Sequence, residues 1–348
     1  MVNMPFCIKC SSMTKVIQIL ETIWYQDKKP PLILIVLSKI YGFLFKIRKA
    51  LFSLGILSST KPDIPVIVIG NLNIGGTGKT PFTLYLANTL SRSGKKVGIV
   101  TRGYLGKKSS STPHILDEDS NAQDFGDEAV YLSRYSDSIV CVCKKRSLAA
   151  NLLFEQGVDV ILSDDGLQHY ALKRDLEFAV VSSNRAFGNR QLLPAGPLRE
   201  GLERLDTLDF LLLNGKTIDD DIHTKNMIGF EIANKEVTNI HNGQVRSIED
   251  FMNCDVTLIA GIGNPDALVK KLSKLGTNIH AMEVADHQKI DLSEIKNLKS
   301  RTLFITPKDL VKYSKGDFPQ DTWELIPEMM IDQSQEEFIM NKVIGIIQ

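Results

Sequence analysis

The sequence predicts an α/β protein: a doubly wound, mostly parallel sheet, then a second, smaller α/β domain joined through a two-stranded ribbon, with an amphipathic helix at the amino terminus. Three observations carry this. Apolar runs of strand length alternate with segments of helical period along most of the 348 residues. The run at 64–69 (IPVIVI) passes at once into a glycine-rich turn and then into helical spacing. A second alternation starts beyond residue 248, after a region of short strand-like pieces.

Composition sets the frame. A chain of this length has room for two cores. Its 43% hydrophobic and 24% charged residues are those of a globular protein. Lys plus Arg and Asp plus Glu each number 41, so the formal net charge is zero. No global basic field argues for nucleic acid, and none is expected as a partner. Five cysteines are too few for a disulfide framework, and Cys141 and Cys143 alternate within an apolar run. A reducing, cytoplasmic setting fits. Cys7 and Cys10 form a lone CxxC without a second pair or a nearby His, and they receive no role.

Residues 1–58 form the first expected unit. At 30–57 the chain reads PPLILIVLSKIYGFLFKIRKALFSLGIL. On a helix, Lys39, Gly42, Lys46 and Lys49 share one side, while Ile40, Leu44, Ile47 and Leu51 lie opposite, with Arg48 interrupting at the end. The unbroken apolar stretches are shorter than the roughly 20 residues of a spanning helix. No secretory cleavage site follows. The favoured reading is a helix in the cytoplasmic leaflet with its cations toward anionic headgroups, because Tyr41, Phe43, Phe45 and Phe52 crowd beside those cations. A helix packed on its own domain, or a spanning anchor, is the other reading.

The second unit is 59–226. Strands are expected at 64–69, 97–101, 138–142, 158–163, 176–181 and 210–214, and helices at 81–93, 128–135 and 147–156. Ligands of such a sheet gather beyond the carboxyl ends of its strands. The ribbon is placed at 227–248, where Asn242-Gly243 signals a hairpin. The last unit, 249–348, alternates strands at 256–260, 279–284 and 302–306 with helices at 267–275 and 292–298.

The turn after the first strand carries the strongest chemistry. In GNLNIGGTGKTP (70–81), Gly75, Gly76, Thr77 and Gly78 let backbone amides fold round a polyphosphate. Lys79 supplies a cation to the terminal phosphates and Thr80 a hydroxyl for Mg2+. ATP and Mg2+ are the implied cofactors. Asn73 stands where this pattern opens with glycine, and Asn is expected there as the next residue to tolerate unusual backbone angles.

Other candidates sit at strand ends. Asp164 and Asp165 in SDDGLQH (163–169) either bind Mg2+ or open a turn or cap a helix. Asp127 in FGDEAVYL (125–132), just ahead of a helical run, is a helix N-cap, a site residue, or both. Arg199 and Glu200, ending FGNRQLLPAGPLRE, are either a phosphate clamp or a solvated pair. His287, after Asp286, either faces a cleft between domains or is structural.

Together these motifs resemble the tetraacyldisaccharide 4'-kinases, the lipid A 4'-kinases of Gram-negative bacteria. The resemblance runs through GNLNIGGTGKTP, TRGY (101–104), GDEA (126–129), SDDGLQH, RDLE, FGNRQLLPAGPLRE, AGIGNP, the Asp286-His287 pair and ITPKDLVK (305–312). It implies an enzyme on the cytoplasmic face of the inner membrane, peripheral or held by one helix. With ATP and Mg2+ the enzyme phosphorylates the 4'-hydroxyl of a tetraacyl glucosamine disaccharide 1-phosphate, its lipid substrate. It further implies Asp127 as catalytic base paired with His287, Asp164 and Asp165 in metal or nucleotide contacts, and Arg199 and Glu200 at the nucleotide. Arg190 replaces a usual glycine and Pro307 a usual acid. The alternative is a partitioning-type nucleotide-switch ATPase, which normally carries a further loop lysine where this chain has Asn73 and Ile74.

Overall fold

The computed structural model describes residues 12–26, 28–215, 222, 224, 226–282, 284, 288–296 and 302–348. It is a mixed α/β fold built on a large, mostly parallel sheet. Two helices come first, α1 (Ser12–Tyr25) and α2 (Leu32–Ser53), and then β1 (Val66–Gly70), α3 (Lys79–Arg92) and β2 (Val97–Thr101). There follow β3 (His114–Ile115), α4 (Ala122–Phe125), α5 (Asp127–Tyr135), β4 (Ile139–Val142), α6 (Arg146–Glu155), β5 (Val160–Asp164), β6 (Leu176–Ser182) and β7 (Phe210–Asn214). With β8 (Met227–Ala233) and β15 (Glu328–Ile331) these strands form a nine-stranded sheet in the order β15-β8-β7-β6-β1-β5-β2-β4-β3.

The seven inner strands are parallel and only the edge pairs β3/β4 and β15/β8 are antiparallel. Every residue of β1, β2 and β5 is buried, as the β-branched runs require in a sheet covered on both faces. One face packs Phe82, Leu86 and Leu90 of α3 against Ile67, Phe178 and Phe210. The other packs Ala149, Ala150 and Leu153 of α6 against Val68, Ile161 and Leu167. Because β1 has β6 on one side and β5 on the other, the chain reverses its winding direction at β1, and the crevice opens beyond its carboxyl end.

A second sheet, of six strands, runs β10-β9-β14-β13-β11-β12. Its members are β9 (Glu236–Asn239), β10 (Val245–Ser247), β11 (Asp255–Ile259), β12 (Asn278–Met282), β13 (Thr302–Ile305) and β14 (Thr322–Glu324). Around them lie α7 (Pro265–Lys274), α8 (Leu292–Lys296) and α9 (Pro307–Leu310), and the chain ends in α10 (Gln333–Ile347).

Two expectations change here. The Asn242-Gly243 turn does join two antiparallel strands, but this β9/β10 hairpin is the edge of the six-stranded sheet. The antiparallel pair at the passage between sheets is β8 with β15, from residues about a hundred positions apart, which a local turn signal cannot report. The carboxyl end also returns to the large sheet. Ile339 and Val343 of α10 are buried in the core that holds Phe82 and Phe178, so residues 328–347 do not belong with the smaller sheet.

The helix α2 packs on the rest of the chain through small residues. Ser38 and Gly42 are its buried residues, and a Cβ on Gly42 would lie 2.7 Å from Leu192 Cδ1. Ile40, Leu44 and Ile47, placed opposite the cations, are exposed. Small residues pack inward because they let the backbone come close. Among the described residues no helix is long and apolar enough to cross a membrane.

Candidate active site

The loop after β1 ends in Gly78, whose φ of 99° is open to glycine and strained for other residues. Gly78 has no side chain to cap α3, and the first turn of α3 has no acid. Among the described residues no protein acceptor takes the amides of residues 75–78. The buried Thr77 Oγ1 likewise has no partner. A helix start left open in this way attracts an anion.

The base of the loop is fastened. The Ile74 amide donates to Pro197 O (2.9 Å), the Arg199 amide to Leu72 O (2.6 Å) and Gln168 Nε2 to Asn71 O (3.1 Å). Asn73 does not serve as a left-handed turn residue, contrary to expectation, since it is absent from the residues of positive φ. It is buried, and its Nδ2 donates to Ala186 O at 3.1 Å. The amide side chain is what the position uses. The stretch 186–199 therefore supports the loop, and the amino-terminal helices in turn support that stretch. Trp24 Nε1 donates to Pro194 O (3.0 Å), Ser38 Oγ to Leu192 O (2.8 Å) and Tyr41 OH to Arg199 O (2.8 Å). Arg190 takes a φ of 60°, the left-handed conformation that the usual glycine adopts freely.

The end of β5 brings two carboxylates to the same place. Asp165, at φ 48°, accepts from Arg199 Nη1 at 2.9 Å and lies 3.7 Å from Lys79 Nζ. Burial works to raise its pKa, but Lys79, Arg199 and Arg146 outweigh burial and hold it down at about 2. Asp164 is buried and accepts from Thr83 Oγ1 at 3.0 Å. Burial, and then the Glu128 carboxylate, push it up to about 7 against the pull of Lys79. The two neighbours thus differ widely in proton affinity.

Asp127 heads α5 and is buried. Its Oδ1 accepts from the Glu128 amide (2.9 Å), and its Oδ2 lies 3.7 Å from Lys312 Nζ, which comes from the second sheet. Beside it Lys308 Nζ meets Glu128 Oε1 at 3.3 Å. A Cβ on Gly263, in the turn after β11, would come within 2.7 Å of Gly76 Cα, so the two glycine turns touch.

Lys79, Asp165 and Arg199 therefore come together, with Asp164 behind them and Thr80 on the first turn of α3. Glu200 turns the other way. It is buried and accepts from Gln168 Nε2 (2.8 Å) and Tyr170 OH (2.6 Å), with Arg204 Nε 3.6 Å away. His287 and Asp286, like Cys7 and Cys10, lie outside the described residues.

Sequence reasoning passed over three groups. Arg146 is buried and donates to Ser163 Oγ at 2.9 Å, beneath the two carboxylates. His169 is held at about 4 by burial and then by Arg146 and Arg174, so it is neutral at pH 7. Lys312 sits within ITPKDLVK, where nothing in the local spacing singles it out. A basic residue opening a helix after a strand, or a His ending SDDGLQH, was the available signal for the first two.

Comparison with known proteins gives the same direction. A family model described as tetraacyldisaccharide-1-P 4'-kinase matches residues 31–344. The tetraacyldisaccharide 4'-kinase of Photobacterium profundum is 38% identical over 314 residues, 89% of this chain and 88% of that protein. The one from Shewanella frigidimarina is 39% identical over 315 residues, 89% of this chain and 90% of that protein. The crystal structure of LpxK from Aquifex aeolicus in complex with ATP superposes with a TM-score of 0.75 at 27% identity, covering 90% of this chain and 98% of that one. This chain belongs to the tetraacyldisaccharide 4'-kinase family.

Proposed function

We infer that this chain is a kinase of lipid A synthesis, moving the γ-phosphoryl group of ATP to the 4'-hydroxyl of a tetraacyl glucosamine disaccharide 1-phosphate. The observation that carries the reading is the open start of α3, with Lys79 and the carboxyl end of β5 converging on it, inside a chain matched to the family across residues 31–344. That match does not favour a partitioning-type ATPase.

The residues fit magnesium. Among the described residues no three His, Cys, Asp or Glu side chains come together. Mg2+ nevertheless asks for only one or two carboxylates when phosphate oxygens and waters complete its shell. A buried Asp164 pushed to about 7 by burial and Glu128 is a carboxylate that a cation relieves. Thr80, Asp164 and Asp165 would hold the ion, which when bound neutralises phosphate charge.

The chain's own residues do the rest. The amides of residues 75–78 and Lys79 hold the polyphosphate, and Arg199 fixes Asp165 beside it. The sugar hydroxyl attacks the γ-phosphorus, the bond to the β-γ bridging oxygen breaks, and the hydroxyl proton passes to Asp127 with His287 as its partner. A carboxylate is a weak base toward an alcohol, so positioning provides most of the acceleration. Glu200 acts here by holding Gln168 and Tyr170 under the loop.

The acceptor is a lipid, and α2 offers the surface to meet it at the cytoplasmic face of the inner membrane. Leu32, Phe43 and Leu44 are 76%, 65% and 59% exposed on the side away from Ser38 and Gly42. With Lys39, Lys46 and Lys49 along the same helix this is the composition of a segment lying in a leaflet. On this reading the chain has two α/β domains and a membrane-lying amino-terminal helix. Phe43→Asp with Leu44→Asp lowers flotation with anionic vesicles, and unchanged flotation rejects this placement.

Transfer of label from [γ-32P]ATP to a tetraacyldisaccharide 1-phosphate tests the whole. Wild type labels the lipid. Asp127→Ala loses about 100-fold to 10,000-fold in kcat while still binding ATP. ATP hydrolysis without lipid labelling rejects the kinase reading, and near-wild-type turnover of Asp127→Ala rejects the base.

A further inference from the structure

Among the described residues Lys312 is a lysine buried between the sheets, with 3% of its side chain exposed. An ammonium taken out of water is costly unless it is paired and fully bonded. Its bonds divide between two parts of the molecule. Within the second sheet, Nζ donates to Asp309 Oδ1 (2.8 Å) and Gln288 O (3.2 Å). Asp309 is itself secured, its Oδ2 accepting from the Gly261 amide (2.7 Å) and Thr306 Oγ1 (2.6 Å). Those contacts alone would satisfy a structural lysine. The same Nζ, however, also stands 3.7 Å from Asp127 Oδ2 on the other sheet.

We propose that Lys312 is a positioning residue for the transfer reaction: delivered from the second sheet on a post fixed by Asp309, it orients the Asp127 carboxylate and keeps it ionised. This rests on the reading of Asp127 as the base. Among the described residues, the charged groups that bear on Asp127 are Lys312, which stands against it, Glu128 next to it on its own helix, and Asp309 and Lys308, which pair with Lys312 and Glu128. Lys312 is a cation whose ion pairs include Asp127. Because it belongs to the second sheet, the base is complete only when the two sheets are apposed.

The test uses the full chain with ATP, Mg2+ and lipid acceptor. Lys312→Gln keeps amide donors for Asp309 and Gln288 O while removing the charge, and a thermal melt checks the fold. Its kcat falls about tenfold to a hundredfold with KM for ATP little changed, and the acid limb of the kcat–pH profile moves up by about one unit. Lys312→Arg keeps the charge, so the acid limb stays in place and kcat falls less. In an Asp127→Asn background, Lys312→Gln has no further effect on kcat.

An unmoved acid limb in Lys312→Gln, or an equal loss in the Asp127→Asn background, overturns the proposal. Should Lys312→Gln fail to fold, Lys312→Arg decides: a reduced kcat with the acid limb in place supports positioning, and a wild-type kcat overturns it. Full turnover in Asp127→Asn alone would instead remove the base reading and leave Lys312 as a structural residue.

Discussion

Two of the glycine turns at the carboxyl ends of parallel strands, residues 71–78 after β1 and 261–264 after β11, invite comparison, and of the two only the first has the makings of a phosphate site. Both follow buried strands and both lead into helices of more than two turns. The difference lies in who satisfies the helix start. At α7 the Asn264 side chain caps the Ala267 amide (3.1 Å), Pro265 removes a donor, Asp266 adds an acid to the first turn, and Asp309 takes the Gly261 amide. At α3 there is no side-chain cap and no acid, and Lys79 adds a positive charge. One helix start is closed by the protein's own oxygens, and the other is left for a ligand's. A glycine turn gives a shape; the chemistry comes from the first helical residues and from the next strand end.

The strongest way to break this comparison is to remove the cation from the open turn. Lys79→Met loses about 100-fold to 1,000-fold in kcat for lipid labelling, the range for removing one preorganised charge or donor from a transition state. It also frees Asp165 from one of the cations that hold it low. The matching change in the closed turn, Asn264→Ala, costs about 1 kcal/mol in denaturant unfolding as a lost cap and leaves kcat near wild type. Equal kinetic losses in the two variants would erase the distinction between the turns.

How far this difference was legible in the sequence depends on the range of the forces involved. Strands at 97–101 and 210–214 have the bounds their apolar runs suggest, because burial on both faces is a local demand on composition. The glycine loop between β1 and α3 was legible for the same reason. Pairing across the chain was not. β15 and α10 close the large sheet from the carboxyl end, and nothing within EMMI specifies Met227–Ala233 as its partner. β3 is two residues long and too short to show a period.

At the site, the neighbours Arg199 and Glu200 read as one pair but point apart, one to Asp165 and one to Gln168 and Tyr170. Which way each points depends on what packs against the 186–199 stretch, including Tyr41 from α2. Asn73 was read through its backbone tolerance, whereas the position uses its side-chain amide. Lys312 gave no signal, since its meaning comes from Asp127, a residue 185 positions away on another sheet (312 minus 127).

A smaller effect sharpens the comparison where the two turns meet. Gly263 does not need a left-handed backbone, since it is absent from the glycines of positive φ, so Gly263→Ala is a test of space alone. The added Cβ would lie 2.7 Å from Gly76 Cα and 2.9 Å from Gly76 N, and backbone atoms cannot turn aside as a side-chain tip can. The turns must separate, at a cost of about 1–3 kcal/mol for an overpacked contact. If the contact serves only folding, the cost appears as a lower denaturant midpoint with kcat kept. If it sets the apposition on which Lys312 and Asp127 depend, kcat falls as well. Gly76→Ala meets the same obstacle from the other side, with Gly263 Cα 2.9 Å from its Cβ. Because one separation relieves both clashes, the double variant costs less than the sum of the two single ones. Additive costs, or a Gly263→Ala protein with unchanged midpoint and kcat, would show that the closed turn does not press on the open one.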